Sequence, residues 1–136
     1  MTKFSIKSRT ELMSCNGKLI QLFQEVIKGY DCTILEGFRD RQRQNQMFSD
    51  GKSKLQFPHS KHNRFPSRAV DVAPFPLDWN DTKRFYHFAG YVMRVAQDLD
   101  IPIRWGGDWD SDNNLNDQNF MDLVHFELKK QGEENV

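Results

Sequence analysis

The residues of this chain best suited to holding a metal or moving protons are its histidines and one aspartate set in an apolar run. His59 and His62 flank Ser60 and Lys61 in a polar segment, and His125 lies in the run LVHFEL. Asp71 sits at the centre of AVDVAP, between Val70 and Val72. A carboxylate among apolar neighbours is costly unless something pairs with it. Two histidines and one carboxylate form a recognised catalytic zinc set, with water in the open fourth position, and a cation there would offset the charge of Asp71. The competing reading makes the histidines solvated loop residues and pairs Asp71 with an arginine such as Arg64 or Arg68. Strand periodicity puts Ala69, Asp71 and Ala73 on one face and Val70 and Val72 on the other. By the same alternation His125 and Glu127 share a face, with Val124 and Phe126 opposite. Each strand is therefore expected to carry one polar working face, with small alanines leaving room beside Asp71.

A hydrolase using such an ion needs a base for the bound water and a donor for the oxyanion that develops. Asp122, three residues before His125, is the candidate base. Arg39, which follows the β-rich run CTILEGF, is the candidate oxyanion donor.

These groups need elements to position them. SCNGK, residues 14–18, reads as a turn between a short first helix and a longer second one. Leu19, Leu22, Phe23, Val26 and Ile27 follow the helical i, i+3, i+4 pattern, and Gly29 ends it. CTILEGF, 32–38, reads as a strand. Asp40 is placed to cap a helix running to about Asp50 and Gly51. Residues 51–68 form a long polar loop, a length that usually signals function. AVDVAP is a strand stopped by Pro74 and Pro76. Asp81 can cap a helix whose apolar face carries Phe85, Phe88, Ala89, Val92, Val95, Ala96 and Leu99. IPIRW and LVHFEL (123–128) read as strands around a second polar loop, GGDWDSDNNLNDQN. Helices segregated from a small, antiparallel sheet give an α+β domain.

The 136 residues suit one domain with its own core, here about 8–128 with a tail at 129–136. With 38% apolar and 28% charged residues, the composition is that of a globular chain. Nineteen Lys+Arg balance nineteen Asp+Glu, so no net field draws the chain to nucleic acid or an anionic membrane. No stretch approaches the length of a membrane span, and MTKFSIKSRTE has no apolar signal-peptide region. Synthesis in the cytoplasm is expected. Cys15 and Cys32 make no disulfide framework and read as two small buried thiols.

SKHNRFPSRAVDVAP resembles the S-x-H…G-x-A-x-D signature of the D-Ala-D-Ala carboxypeptidase/dipeptidase family of zinc peptidases. DLVHFEL resembles its second signature, an acidic residue, two others, then H-x-E. The chain is most similar to the phage endolysins described as L-alanyl-D-glutamate peptidases, which carry Asp at the position of Asp122. ILEGFRD and IRWGGDWD also look like stretches of these proteins, so the resemblance runs from about Ser8 to Leu128. It implies a hedgehog/DD-peptidase-like zinc peptidase fold. It implies His62, Asp71 and His125 as zinc ligands, Asp122 as general base and Arg39 as oxyanion and substrate clamp. Ser60 would hydrogen-bond the substrate or the metal's surroundings. Two departures stand out: eight residues, Asn63 to Val70, separate His62 from Asp71 where the pattern has a shorter run, and Ser67 replaces its Gly. Ser60-x-His62 fits the motif directly, which leaves His59 at the rim.

The resemblance implies a monomeric enzyme that hydrolyses the peptide stem of bacterial peptidoglycan at the L-Ala-D-Glu bond. A phage or prophage endolysin fits, made in the host cytoplasm and acting on the wall after release. A D-Ala-D-Ala carboxypeptidase or dipeptidase is the first alternative, and a non-catalytic zinc-containing binding module the second. Asp108, Asp110 and Asp112 alternate like a calcium loop, but the sixth position lacks Gly and the twelfth, Asn119, lacks Glu. Trp105 is expected in the core, while Trp109 could line a substrate groove. Glu127 is expected to orient a ligand histidine. His87 falls outside its helix's apolar stripe and reads as solvated.

Overall fold

The computed structural model describes residues 3–108, 111 and 122–130. Trp109, Asp110 and Asp112, and with them the calcium expectation, lie outside the described residues. Among those described, the order is α1 (Ile6–Met13), α2 (Gly17–Gly29), β1 (Cys32–Glu36), α3 (Arg41–Ser49), a 3-10 turn (Lys61–Asn63), β2 (Ala69–Pro74), α4 (Thr82–Asp98), β3 (Ile103–Trp105) and β4 (His125–Leu128). The four strands form an antiparallel sheet in the order β1-β2-β4-β3. The fold is α+β, as the pattern of elements implies.

The helices start where short polar side chains cap them. Asp40 accepts from Arg43 N at 2.8 Å, Asp81 from Arg84 N at 3.3 Å and Asn16 from Lys18 N at 2.9 Å. Each satisfies an amide that helix geometry leaves without a partner. The apolar stripes of α2 and α4 then meet the Val70/Val72 face of β2 and Phe126 of β4, forming the main core. Phe23 and Phe88 approach Phe126 edge-on, with ring centroids 5.6 and 6.2 Å away. Fully burying such a side chain contributes about 1.5–3 kcal/mol. Cys15 and Cys32 are free and buried, and burial pushes both thiols up to about 12. Among the described residues, no helix is long and apolar enough to cross a membrane.

Two strands are shorter than the β-rich runs in which they lie. β1 stops at Glu36 because the next amides are taken by α1 instead of a strand. Gly37 N donates to Glu11 Oε1 at 3.0 Å and Phe38 N to Ser14 Oγ at 2.8 Å. β4 begins at His125 because a turn precedes it, with His125 N donating to Asp122 O at 3.1 Å. Val124 therefore escapes the alternation of β4. It packs with Ala73 and Phe85 in a small second cluster, away from the side occupied by Phe126. Trp105 joins the main core, and its indole donates to Leu123 O at 2.9 Å. His87 is exposed and meets Tyr30 Oη at 3.0 Å.

Candidate metal centre and active cleft

The sheet brings the polar working faces together. Asp71 of β2 pairs in register with His125 of β4 on one side and, past a bulge, with Glu36 of β1 on the other. The 3-10 turn delivers His62 to the same place. Ser60 starts that turn by accepting from His62 N at 3.2 Å, while Asn63 Oδ1 accepts from Ser60 N at 3.1 Å. This reciprocal cap fixes the backbone of His62. The extra residues between His62 and Asp71 are absorbed by a link to the turn between α1 and α2: Ser67 N donates to Ser14 O, and Asn16 N to Ser67 O.

His62 Nε2, Asp71 Oδ1 and His125 Nδ1 form a triangle with sides of 3.2, 3.3 and 3.3 Å. The outer ring nitrogens are engaged elsewhere. His62 Nδ1 lies 2.7 Å from Gly37 O, and His125 Nε2 lies 2.8 Å from Glu127 Oε1. A carbonyl can only accept, and so can an ionised carboxylate, so both outer nitrogens carry protons. In their neutral forms the two imidazoles therefore turn bare lone pairs toward a third acceptor, Asp71. Three acceptors that close repel one another unless a cation or a proton lies among them. Ligand bonds of about 2.0–2.1 Å at tetrahedral angles set donor atoms roughly 3.3–3.4 Å apart, so the donors fit one face of a tetrahedral ion. This buried group could hold a metal ion.

Without an ion, protons take its place. Burial opposes the charge of Asp71, but His62 and then His125 outweigh it and hold the carboxyl far below the ordinary range. Burial opposes the His125 cation too, yet its hydrogen bonds to the Asp71 and Glu127 carboxylates raise it to about 9. Burial likewise opposes charge on Glu127, which His125, Lys61 and Arg104 overcome, lowering its pKa. Asp122 goes the other way. Burial, then the negative charge of Asp71, raise it above the ordinary carboxylate value.

The triangle floors a cleft of about 360 Å³, lined also by Arg39, Asp122, Glu127 and Ser60, with exposed His59 among its lining residues. Asp122 is positioned by backbone contact: its N–H donates to Gly106 O at 2.9 Å, and a Cβ on Gly106 would come within 2.1 Å of Asp122 O. Only glycine permits that approach. Arg39 is buried and held on several sides. Its Nε and Nη2 donate to Glu36 Oε1 at 3.2 and 2.9 Å, Nη1 to Gln44 Oε1 at 3.0 Å, and Nη2 reaches Asp71 Oδ2 at 3.5 Å. The partners of Asp71 are thus His62, His125 and Arg39. Arg64 is exposed, and Arg68 donates to Lys129 O.

Sequence reasoning missed Gln44, Glu36, Lys61 and Arg104. Gln44 is fully buried and joins Arg39 and Asn63 to the loop at Ser53 and Leu55. Lys61 and Arg104 both reach Glu127 Oε2, at 2.9 and 2.7 Å. Lys61 stood inside the SKH motif and Arg104 inside IRWGG, but nothing in their spacing pointed to a shared partner.

Over residues 1–129 the chain matches the family model described as phage L-alanyl-D-glutamate peptidase. Among solved structures it is similar to the crystal structure of Serratia marcescens L-Ala D-Glu endopeptidase ChiX. That match has a TM-score of 0.77 and 23% identity, and covers 98% of this chain and 95% of that one. At that identity the likeness shows a shared fold. Comparison with the curated proteins finds no match.

Proposed function

Because this chain belongs to the phage L-alanyl-D-glutamate peptidase family, and is on that ground a peptidase acting on peptidoglycan, we propose how its own residues perform the cleavage. His62, Asp71 and His125 hold a single catalytic zinc ion. The observation that carries this is the triangle of acceptor atoms, with both outer ring nitrogens already committed to Gly37 O and Glu127. Two histidines and a carboxylate suit zinc among the common divalent ions. When bound, such an ion polarises the scissile carbonyl and lowers the pKa of its water to about 7.

The remaining work falls to the chain. Asp122 takes the proton of the attacking water and delivers it to the leaving amine. Burial and the charge of Asp71 raise its pKa above the ordinary carboxylate value, the direction that strengthens a carboxylate as a base. Arg39 presents a fixed cation beside Asp71, where charge grows on the carbonyl oxygen. A donor already held in place costs no reorganisation when the charge develops. Glu127 keeps the His125 tautomer that faces the ion, and Gly37 O does the same for His62. Ser60 fixes the turn that carries His62. The unit is a single catalytic domain that works as a monomer on the stem of its bacterial host's wall after release from the cytoplasm.

The test is a digest of purified peptidoglycan with and without chelator, followed by mass spectrometry. Release of stem peptides beginning after L-Ala, lost on chelation and restored by zinc, is the expected result. Cleavage that persists after complete metal removal would overturn the zinc mechanism. Release of terminal D-Ala alone would overturn the assignment of the bond.

A further inference from the structure

Just beyond the end of β2, the segment from Phe75 to Trp79 carries Phe75, Pro76, Leu77 and Trp79 in solvent. Phe75 is 51% exposed, Leu77 40% and Trp79 61%. Single exposed apolar side chains are ordinary, but a contiguous group marks a contact surface. The segment is held in shape. Phe75 N donates to Asp31 O at 3.0 Å and Asp81 N to Asp78 O at 3.1 Å, while the Arg84 guanidinium donates to the carbonyls of Phe75 and Pro76. Asp78 Oδ1 accepts from Asn80 N at 3.0 Å. The ridge is also joined to the cleft. The Trp79 indole lies flat on Phe85, with ring centroids 5.5 Å apart and planes 13° apart. Phe85 packs in turn with Ala73 and Val124. Ala73 follows Asp71 on the same face of β2, roughly 7 Å further along the strand. Val124 stands two residues after Asp122. Asp71 and Asp122 both line the cleft. One face of the indole therefore rests on a cluster that adjoins the cleft along both strands, and the other face is open.

The substrate supplies a partner for such a face. In peptidoglycan the L-Ala of the stem is joined through its nitrogen to the glycan strand, so a single residue separates the scissile bond from a sugar. A sugar ring presents one face of C–H groups, which packs on the negative face of an aromatic ring. Its hydroxyl groups lie around the edge and stay in water, so an open, rigid ring suits it better than a closed pocket. Building on the peptidase reading above, we propose that Trp79, backed by Phe85 and with Phe75 and Leu77 beside it in the chain, is a subsite for a sugar ring of the glycan strand that carries the stem. The subsite makes the enzyme prefer stems still attached to glycan over free stem peptides. Because the ridge is fixed before the sugar arrives, little ordering opposes the contact.

Two synthetic substrates with the same stem peptide, one joined to an N-acetylglucosaminyl-N-acetylmuramyl disaccharide and the other capped by acetyl, test this with the zinc-loaded full chain. The wild type is expected to favour the sugar-bearing substrate by about two- to tenfold in kcat/KM, mainly through KM, the size of one stacking contact. Trp79→Ala should bring that ratio toward one, and Trp79→Phe, which keeps an aromatic face, should retain part of it. The ratio is internal to each variant, so a partly misfolded preparation does not mimic the effect. Equal cleavage of the two substrates by the wild type would overturn the proposal, as would a Trp79→Ala variant that keeps the wild-type ratio. If neither substrate is cleaved while zinc is bound, the cleavage mechanism fails separately. Titration of the protein with stem-free glycan oligomers, followed by the Trp79 indole N–H signal in NMR, then decides the subsite: a shift saturating with glycan supports it, and an unmoved signal overturns it.

Discussion

Replacing Gln44 with leucine should damage both the stability and the chemistry of this protein, and the size of the effect can be worked from its contacts. The amide is fully buried on α3. It accepts from Arg39 Nη1 at 3.0 Å and Asn63 Nδ2 at 3.1 Å, and donates to Ser53 Oγ at 2.9 Å and Leu55 O at 2.6 Å. Leucine has similar bulk but removes one hydrogen bond from each of the four partners. Leu55 is exposed and Ser53 half-buried, so water can replace much of what those two lose. Arg39 is buried and charged, and Asn63 is half-buried. An unsatisfied buried group costs about 1–3 kcal/mol, more when charged, so the two together cost roughly 2–4 kcal/mol. At about 4 °C per kcal/mol for a domain of this size, Tm should fall by roughly 8–16 °C. Thermal unfolding of the metal-free protein followed by circular dichroism measures this without depending on the catalytic reading. Activity below the transition should fall further than the folded fraction does, because Arg39 loses the partner that orients its Nη1. A Gln44→Leu variant melting within 2 °C of wild type would show that the network does not hold the cleft together.

Asp122→Ala should lower turnover by about 10²–10⁴-fold, the usual contribution of a positioned base, while bound zinc stays near one per chain. A near-wild-type rate would remove Asp122 from that role. His125→Ala should cost both metal and activity, and elemental analysis giving a metal-replete variant would sink the ligand assignment. The metal-free protein should also lose stability as the solution becomes alkaline. His125 is raised from 6.5 to about 9 in the fold, so its stabilising contribution is complete below 6.5 and disappears as pH rises through 9. The depressed carboxyls of Asp71 and Glu127 act oppositely, stabilising above ordinary carboxylate values and failing only in acid. In chelator, Tm should therefore be higher at pH 6 than at pH 9. Saturating zinc should raise it at both, since an ion that binds only the folded site stabilises it by mass action. A chelated protein with equal or higher Tm at pH 9 would contradict the charge assignment of the triangle.

Much of this arrangement was legible along the chain. The 3.6-residue apolar stripes of α2 and α4 and the caps at Asp40 and Asp81 are local, because propensity and capping act over a few residues. Strand alternation put Asp71 opposite Val70 and Val72, and His125 and Glu127 on one face, because side chains alternate whatever the partner strand. The order of the motifs, through resemblance, then grouped His62 with Asp71 and His125. What the chain alone left open depends on groups distant in sequence. The Gly37 carbonyl fixes the His62 tautomer because β1 ends early against α1. Glu36 lies opposite Asp71 only because a bulge shifts the β1 register. Val124 leaves its expected side because a turn at Asp122 delays β4. Gln44 joins α3 to a loop and a 3-10 turn, and Lys61 and Arg104 meet at Glu127 across elements far apart in sequence. Hydrogen bonds and charge pairs between remote segments have no periodic signature. They exist only once the sheet has set its register and the loops have closed on it, and they decide which histidine nitrogens face the ion and which carboxylate Lys61 and Arg104 share.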